Sequence, residues 1–233
     1  MTQFKNKSIL NYLLAPLLLF LVFPVWAELA SQKDCQALEI VSGEVDSPSK
    51  YADALLWRVT KNNNRASYIF GTIHVSDPKI VNLPKEVSLT LNDADIFVME
   101  ALPVPDEALK LSQMMFFSDG STLKDFIDDE LFEKTASILR NYEFPTEAVM
   151  TMKPWAAFLI MNYPVGEGVP LDLQLLYKAQ QNGAEVHGLE SLSEQGDIFS
   201  TMDFDTQVKF LLDTVCHYDV VKSDFEKMKS LYL

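Results

Sequence analysis

The stretch Tyr68-Ile-Phe-Gly-Thr-Ile-His-Val-Ser-Asp-Pro78 constrains the fold more than any other, because it runs from a strand-forming segment through a breaker to a potential ligand. Tyr68, Ile69 and Phe70 favour an extended strand, and Asp77-Pro78 supplies a turn. Gly71 between them suits either an unusual dihedral or a close backbone approach. His74 then falls just past a strand's carboxyl end. Downstream, Pro84 to Ala94 reads as a helix with Pro84 near its first turn, and Asp95 to Glu100 as a short apolar strand ending on a carboxylate. A helix between two strands is a crossover, so the strands carrying Phe70 and Val98 are expected to be parallel neighbours. Leu171 to Gln181 repeats the helical pattern, Gly183 ends it, and Ala184 to His187 forms a third strand with Glu190 just beyond. Ligands of open α/β sheets bind at the strands' carboxyl edge, which makes His74, Glu100 and Glu190 the candidate site. Each also has a plainer reading. A histidine can cap a turn, and a glutamate can be a solvated strand end.

The remaining chain surrounds this edge. Leu55 to Val59 and Ala66 to Thr72 flank the turn-rich Lys61-Asn-Asn-Asn-Arg65 as a hairpin. From Pro105 to about Tyr163 the pattern is helical: Asp106 to Phe116, Glu130 to Asn141, and Thr146 onward through Lys153-Pro154-Trp155, with a capping box at Thr122 and Asp125. The apolar stripes Met114 to Phe117 and Phe158 to Met161 either line a substrate groove or join the core. Asp203 to Leu233 is a long amphipathic pattern, one helix or two. His187 lies inside its strand and reads as structural; His217, one turn after Asp213, reads as a surface residue. The fold class expected is mixed α/β (α+β): a central sheet with crossover helices, an inserted helical layer and a long C-terminal amphipathic helical region.

A chain of 233 residues with 48% hydrophobic and 22% charged composition suits one domain, placed at residues 51–233. Its net charge of −14, with 33 acidic against 19 basic residues, excludes a nucleic-acid surface, which needs a basic patch. Met1 to Ala27 has basic Lys5 and Lys7, an apolar run from Ile9 to Phe23 interrupted by Asn11 and Pro16, and Val25-Trp26-Ala27 at its end. This pattern predicts a signal peptide, and hence export to the periplasm or the extracellular space, with membrane contact only through an uncleaved leader. Glu28 to Lys50 is expected to be an irregular lead-in. Cys35 and Cys216 either pair, as an oxidising compartment permits, or remain two buried thiols.

The chemistry of the edge is that of a metal site. His74, Glu100 and Glu190 offer an imidazole and two carboxylates, a set that suits zinc, manganese or cobalt. No His-Glu-x-x-His, Gly-x-Ser-x-Gly or phosphate loop is present, and no organic cofactor is indicated. The Gly71-Thr-Ile-His74 segment has Leu56-Trp57-Arg58-Val59 before it and Ala94 to Glu100 after it. With Lys153-Pro154-Trp155, Gly168-Val-Pro-Leu-Asp172 and Val186-His-Gly-Leu-Glu190, it resembles the TraB/GumN family, to which the TIKI-type metalloproteases also belong, over about residues 51 to 215. That resemblance implies a metal-dependent hydrolase acting on a peptide or protein, with His74, Glu100 and Glu190 as ligands or general base. The family's pattern has a second Gly-x-x-His beyond a C-terminal helical region, and none follows Gly71 here. The expectation is therefore a C-terminally truncated domain with an impaired site, in which His187 or His217 could substitute, or an inactive binding or remnant domain of the same fold.

Overall fold

The computed structural model describes residues 29–35, 54–62, 64–166 and 168–233. The leader from Met1 to Ala27 and most of the lead-in lie outside them. Strands β1 (Leu56–Val59) and β2 (Ser67–Phe70) form the expected antiparallel hairpin, with Leu56 opposite Phe70. Two short helices follow, α1 (Pro78–Val81), capped by the Asp77 carboxylate, and α2 (Lys85–Asn92). Strand β3 (Ile96–Ala101) does not join β2. It pairs in parallel with β4 (Glu185–Glu190), Phe97 opposite Val186 and Ala101 opposite Glu190. The crossover expectation therefore holds for β3 and β4 and fails for β2 and β3, and among the described residues the strands form two separate two-stranded sheets. One physical reason lies just after β2, where the Val75 N–H donates to the Ile73 carbonyl and curls the chain away from a strand path. Arg65 links the two sheets instead, through an exposed ion pair with Asp95 just before β3.

The long connection from β3 to β4 is the helical layer: α3 (Pro105–Met114), α4 (Asp129–Leu139), α5 (Thr146–Thr151), α6 (Pro154–Met161) and α7 (Leu171–Gln181). The Thr122–Asp125 capping box is present, opening a short 3-10 turn at Leu123–Asp125. The helix beginning at Thr146 stops at Met152, because the residue before Pro154 is driven out of helical conformation, and restarts as α6 with Pro154 in its first turn. Helix α4 buries Leu131, Phe132, Thr135, Ala136 and Leu139 as one stripe, with the Thr135 hydroxyl satisfied by the Leu131 carbonyl at 2.8 Å. Helix α6 is apolar on every side and correspondingly central, with Trp155, Ala156, Ala157 and Met161 buried. Met114 to Phe116 and Phe158 to Ile160 pack onto the cluster built around these residues, so both stripes belong to the core rather than to a groove.

After β4 come α8 (Leu192–Ser200), α9 (Phe204–Cys216) and α10 (Tyr218–Tyr232). The C-terminal amphipathic pattern is thus two helices, broken at His217. The apolar spacing continues across the break in sequence, but only α9 buries residues, with Val208, Leu211 and Val215 facing the main core. Cys216, the last residue of α9, is disulfide-bonded to Cys35 with a Cα–Cα distance of 5.6 Å. This settles the open alternative in favour of the bridge. Leu29–Cys35 is accordingly ordered rather than irregular: the Ala30 N–H donates to the Phe126 carbonyl and the Asp128 N–H to the Ala30 carbonyl. A second, smaller core contains Ile73, Val75, Ile80, Leu91, Leu171, Leu175 and Ala179, and it seats the segment that carries His74.

Candidate functional site

Ile73 and Val75 are buried in the smaller core, while the His74 side chain between them is 48% exposed. The Leu171 N–H donates to the Val75 carbonyl at 2.9 Å, clipping this loop to the start of α7 and bringing Asp172, in the helix's first turn, to the imidazole. Asp172 Oδ2 lies 2.6 Å from His74 Nδ1, and the Thr72 hydroxyl donates to Oδ1 at 2.5 Å. An ionised carboxylate only accepts, so Nδ1 carries the proton and Nε2 is left for another partner. The hydrogen bond to Asp172 raises the His74 pKa; burial opposes the rise, and the charges of Asp172 and Glu100 add to it. Burial pushes the Asp172 carboxyl up, but the hydrogen bonds from His74 and Thr72 outweigh it and hold the group below the ordinary carboxylate value. The Tyr163 ring stacks on the imidazole at 5.7 Å. Its phenol is raised by burial, then by the charges of Asp172 and Glu100.

Gly71 needs neither of the special roles expected of it. Its N–H continues the hairpin ladder to the Leu55 carbonyl, and an added Cβ would meet Leu55 only at 3.9 Å, an ordinary contact. Its carbonyl instead accepts from the Tyr232 hydroxyl at 2.7 Å, docking α10 onto the site segment. Between them lies a cavity of about 310 Å³ lined by His74, Tyr163, Phe225, Met228 and Tyr232 among others.

Glu100 is the penultimate residue of β3 and Glu190 the last of β4, and parallel pairing puts both at the same end of this sheet, with Glu190 opposite Ala101, the neighbour of Glu100. What the sequence reading did not include is the group between them. The Gln195 side-chain amide donates to Glu100 Oε1 at 2.8 Å and to Glu190 Oε1 at 2.9 Å. The structure thus has two separate subsets, a His74–Asp172–Thr72 chain beyond β2 and a Glu100–Gln195–Glu190 bridge at the end of the β3–β4 sheet, linked by the charge of Glu100, which helps to raise the His74 pKa. His187 faces outward, its Nε2 2.9 Å from the exposed Glu185. His217 sits at the α9–α10 junction, only 17% exposed, with Nδ1 3.0 Å from the Asp213 carbonyl oxygen and 3.1 Å from its carboxylate, so it is less of a surface residue than expected. Among the described residues no three His, Cys, Asp or Glu side chains stand as a ready metal-ligand group, and neither of these histidines completes one.

The sequence matches the TraB/PrgY/gumN family over residues 55–233. The chain belongs to that family. No curated protein and no solved structure shows a match to it. Within this TraB/PrgY/gumN domain, Asp172 and Gln195 are the site residues that sequence spacing did not single out. Asp172 is 98 positions from His74, beyond any local pattern. Gln195 did have a local signal, the capping box Ser191-x-x-Glu194 directly after the β4 carboxylate. The imidazole and two carboxylates are donor types that a divalent cation takes, although they do not stand as one group among the described residues. His74 has its outer nitrogen fixed by a carboxylate, the usual support for a metal-bound imidazole, and each glutamate has one oxygen outside the Gln195 bridge.

Proposed function

We propose that this TraB/PrgY/gumN protein is an exported, metal-dependent hydrolase acting on peptide bonds, with His74, Glu100 and Glu190 as the groups that hold zinc, manganese or cobalt. The observation that carries this reading is the His74–Asp172 hydrogen bond of 2.6 Å, which fixes the tautomer that presents Nε2 to a ligand. Such a cation, when bound, would polarise a carbonyl and lower the pKa of a coordinated water. The chain's own contribution is to orient the imidazole through Asp172 and Thr72 and to hold two carboxylates as a pair through Gln195, either of which can accept a proton from water. A second reading, a binding domain that keeps the fold without the chemistry, is favoured by one observation: the three candidate ligands do not converge as they stand.

Calorimetric titration with manganese, cobalt and zinc, beside a peptide-cleavage assay, separates the two. The hydrolase reading expects saturable binding and cleavage in the wild type, with His74→Ala lowering affinity by about 100-fold or more and abolishing cleavage. Equal binding in His74→Ala, or cation binding with no cleavage of any peptide in a mixed pool, would decide for the binding domain. Export is supported by the leader-like Met1–Ala27 pattern and by the Cys35–Cys216 bridge, since structural disulfides persist chiefly in oxidising compartments. N-terminal sequencing of the protein from an exporting host is expected to begin near Glu28. A retained Met1 in the membrane fraction would contradict it.

A further inference from the structure

We infer that Gln195 is a positioning residue, whose single side-chain amide holds Glu100 and Glu190 together as one pair. The inference deepens the reading of this edge as a cation site and rests on it only for its first readout. Parallel pairing of β3 with β4 carries the two carboxylates to the same end of the sheet, Glu190 opposite the Ala101 that follows Glu100, where like charges repel. A side-chain amide has two protons on one nitrogen and can face two acceptors at once. Gln195 Nε2 does so, at 2.8 and 2.9 Å, and it engages only Oε1 of each glutamate. The bridge therefore offsets the repulsion without occupying Oε2 of either group.

The amide can act this way because the first turn of α8 is fixed on both sides of it. Ser191 and Glu194 form the capping box, the Glu194 carboxylate accepting from the Ser191 N–H at 2.7 Å. Ser193 donates through both its backbone N–H and its hydroxyl to Glu107 on α3. The hydrogen bond from Lys110, followed by that from Ser193, depresses the Glu107 pKa to about 2, so this anchor stays an acceptor at any working pH. On the far side of Gln195, Gly196 packs so closely on α3 that an added Cβ would lie 2.6 Å from Leu111 Cδ1. Helix α8 has one seat on α3, and that seat aims Gln195 at the ends of β3 and β4.

Two variants test the role. Gln195→Met keeps length and bulk but has no donor; Gln195→Ala removes both. The first readout is manganese affinity by calorimetry, expected to fall about 10- to 100-fold in both variants. The second needs no metal: the thermal midpoint measured without cation from about 10 mM to 1 M sodium chloride, where Debye lengths shrink from about 30 to 3 Å. Both variants are expected to lose stability at low salt and to regain most of it at high salt, because the unbridged carboxylates repel until screened. Wild-type affinity and the wild type's own salt dependence of the midpoint in Gln195→Met would show that the residue only fills space, and would overturn the inference. Absence of manganese binding in the wild type, together with a salt-dependent deficit in Gln195→Met, would sink the cation reading and leave the bridge standing.

Discussion

Replacing Cys216 with Ser is expected to lower the stability of the protein by about 2–5 kcal/mol. The bridge closes a loop with a sequence separation of 181 residues, so its removal returns a large amount of conformational freedom to the unfolded chain. Chain-entropy models give about 5 kcal/mol for a loop of this size, and residual structure in the unfolded state reduces that figure. The folded state loses something as well. Leu29–Cys35 makes its described main-chain contacts at Phe126 and Asp128, and the disulfide is what holds this segment against α9. For a domain of this length the loss corresponds to a fall in melting temperature of about 10 °C. Reductant should produce the same fall in the wild type and none in Cys216→Ser, and non-reducing electrophoresis should show the faster band only for the wild type. Coincident melting curves for wild type, variant and reduced protein would refute a stabilising bridge.

The part of the site that could be read in the sequence is the part encoded by alternation. Glu100 and Glu190 each lie at the end of a short strand, and a helical connection between strands favours a parallel crossover, so their place at one end of the sheet follows from order along the chain. The same reasoning misplaced β2. A four-residue strand followed at once by the tight Ile73–Val75 turn is too short to impose pairing on a distant neighbour, and strand adjacency is a tertiary outcome that periodicity does not encode. Gly71 shows the opposite limit: glycine permits unusual geometry without requiring it, and here an added Cβ would meet only ordinary contacts with Leu55. The apolar stripes around Met114 and Phe158 were ambiguous because a groove and a core ask for the same residues, and only packing separates them. The break at His217 carries neither Gly nor Pro, so it left no mark in a pattern that otherwise runs to Tyr232. Asp172 was visible as a carboxylate in a helix's first turn. Its partner became visible only when the Leu171–Val75 hydrogen bond brought α7 to the His74 loop.

Asp172→Asn is expected to remove about 100-fold of the cation affinity and hydrolytic rate assigned to this edge, while leaving the fold intact. The substitution keeps shape and changes hydrogen-bond capacity. Two donors, the Thr72 hydroxyl and His74 Nδ1–H, now converge on the two oxygens of one carboxylate. An asparagine offers one acceptor oxygen and a donating NH₂: with the oxygen on Nδ1–H the NH₂ can donate to the Thr72 hydroxyl, which turns to accept, but the carboxylate charge beside the imidazole is lost. When the NH₂ faces Nδ1, that nitrogen must give up its proton, the imidazole takes the other tautomer, and Nε2 becomes a donor that can neither ligate a cation nor accept a proton. The titration of His74 reports this directly. Its pKa is raised above the ordinary 6.5, first by the Asp172 hydrogen bond, and the Asp172 pKa is lowered below 3.8. The imidazole's contribution to stability is complete below 6.5 and is lost as pH rises through its raised value. The carboxylate's contribution is present above 3.8 and is lost as pH falls through its lowered value. The difference in melting temperature between wild type and Asp172→Asn should therefore be greatest between pH 3.8 and 6.5 and shrink on either side. Because His74 is half exposed, solvent screening keeps that difference small beside the functional loss. Proton NMR should show the His74 midpoint moving down in the variant; an unmoved midpoint with full activity would mean that Asp172 does not set the state of the imidazole.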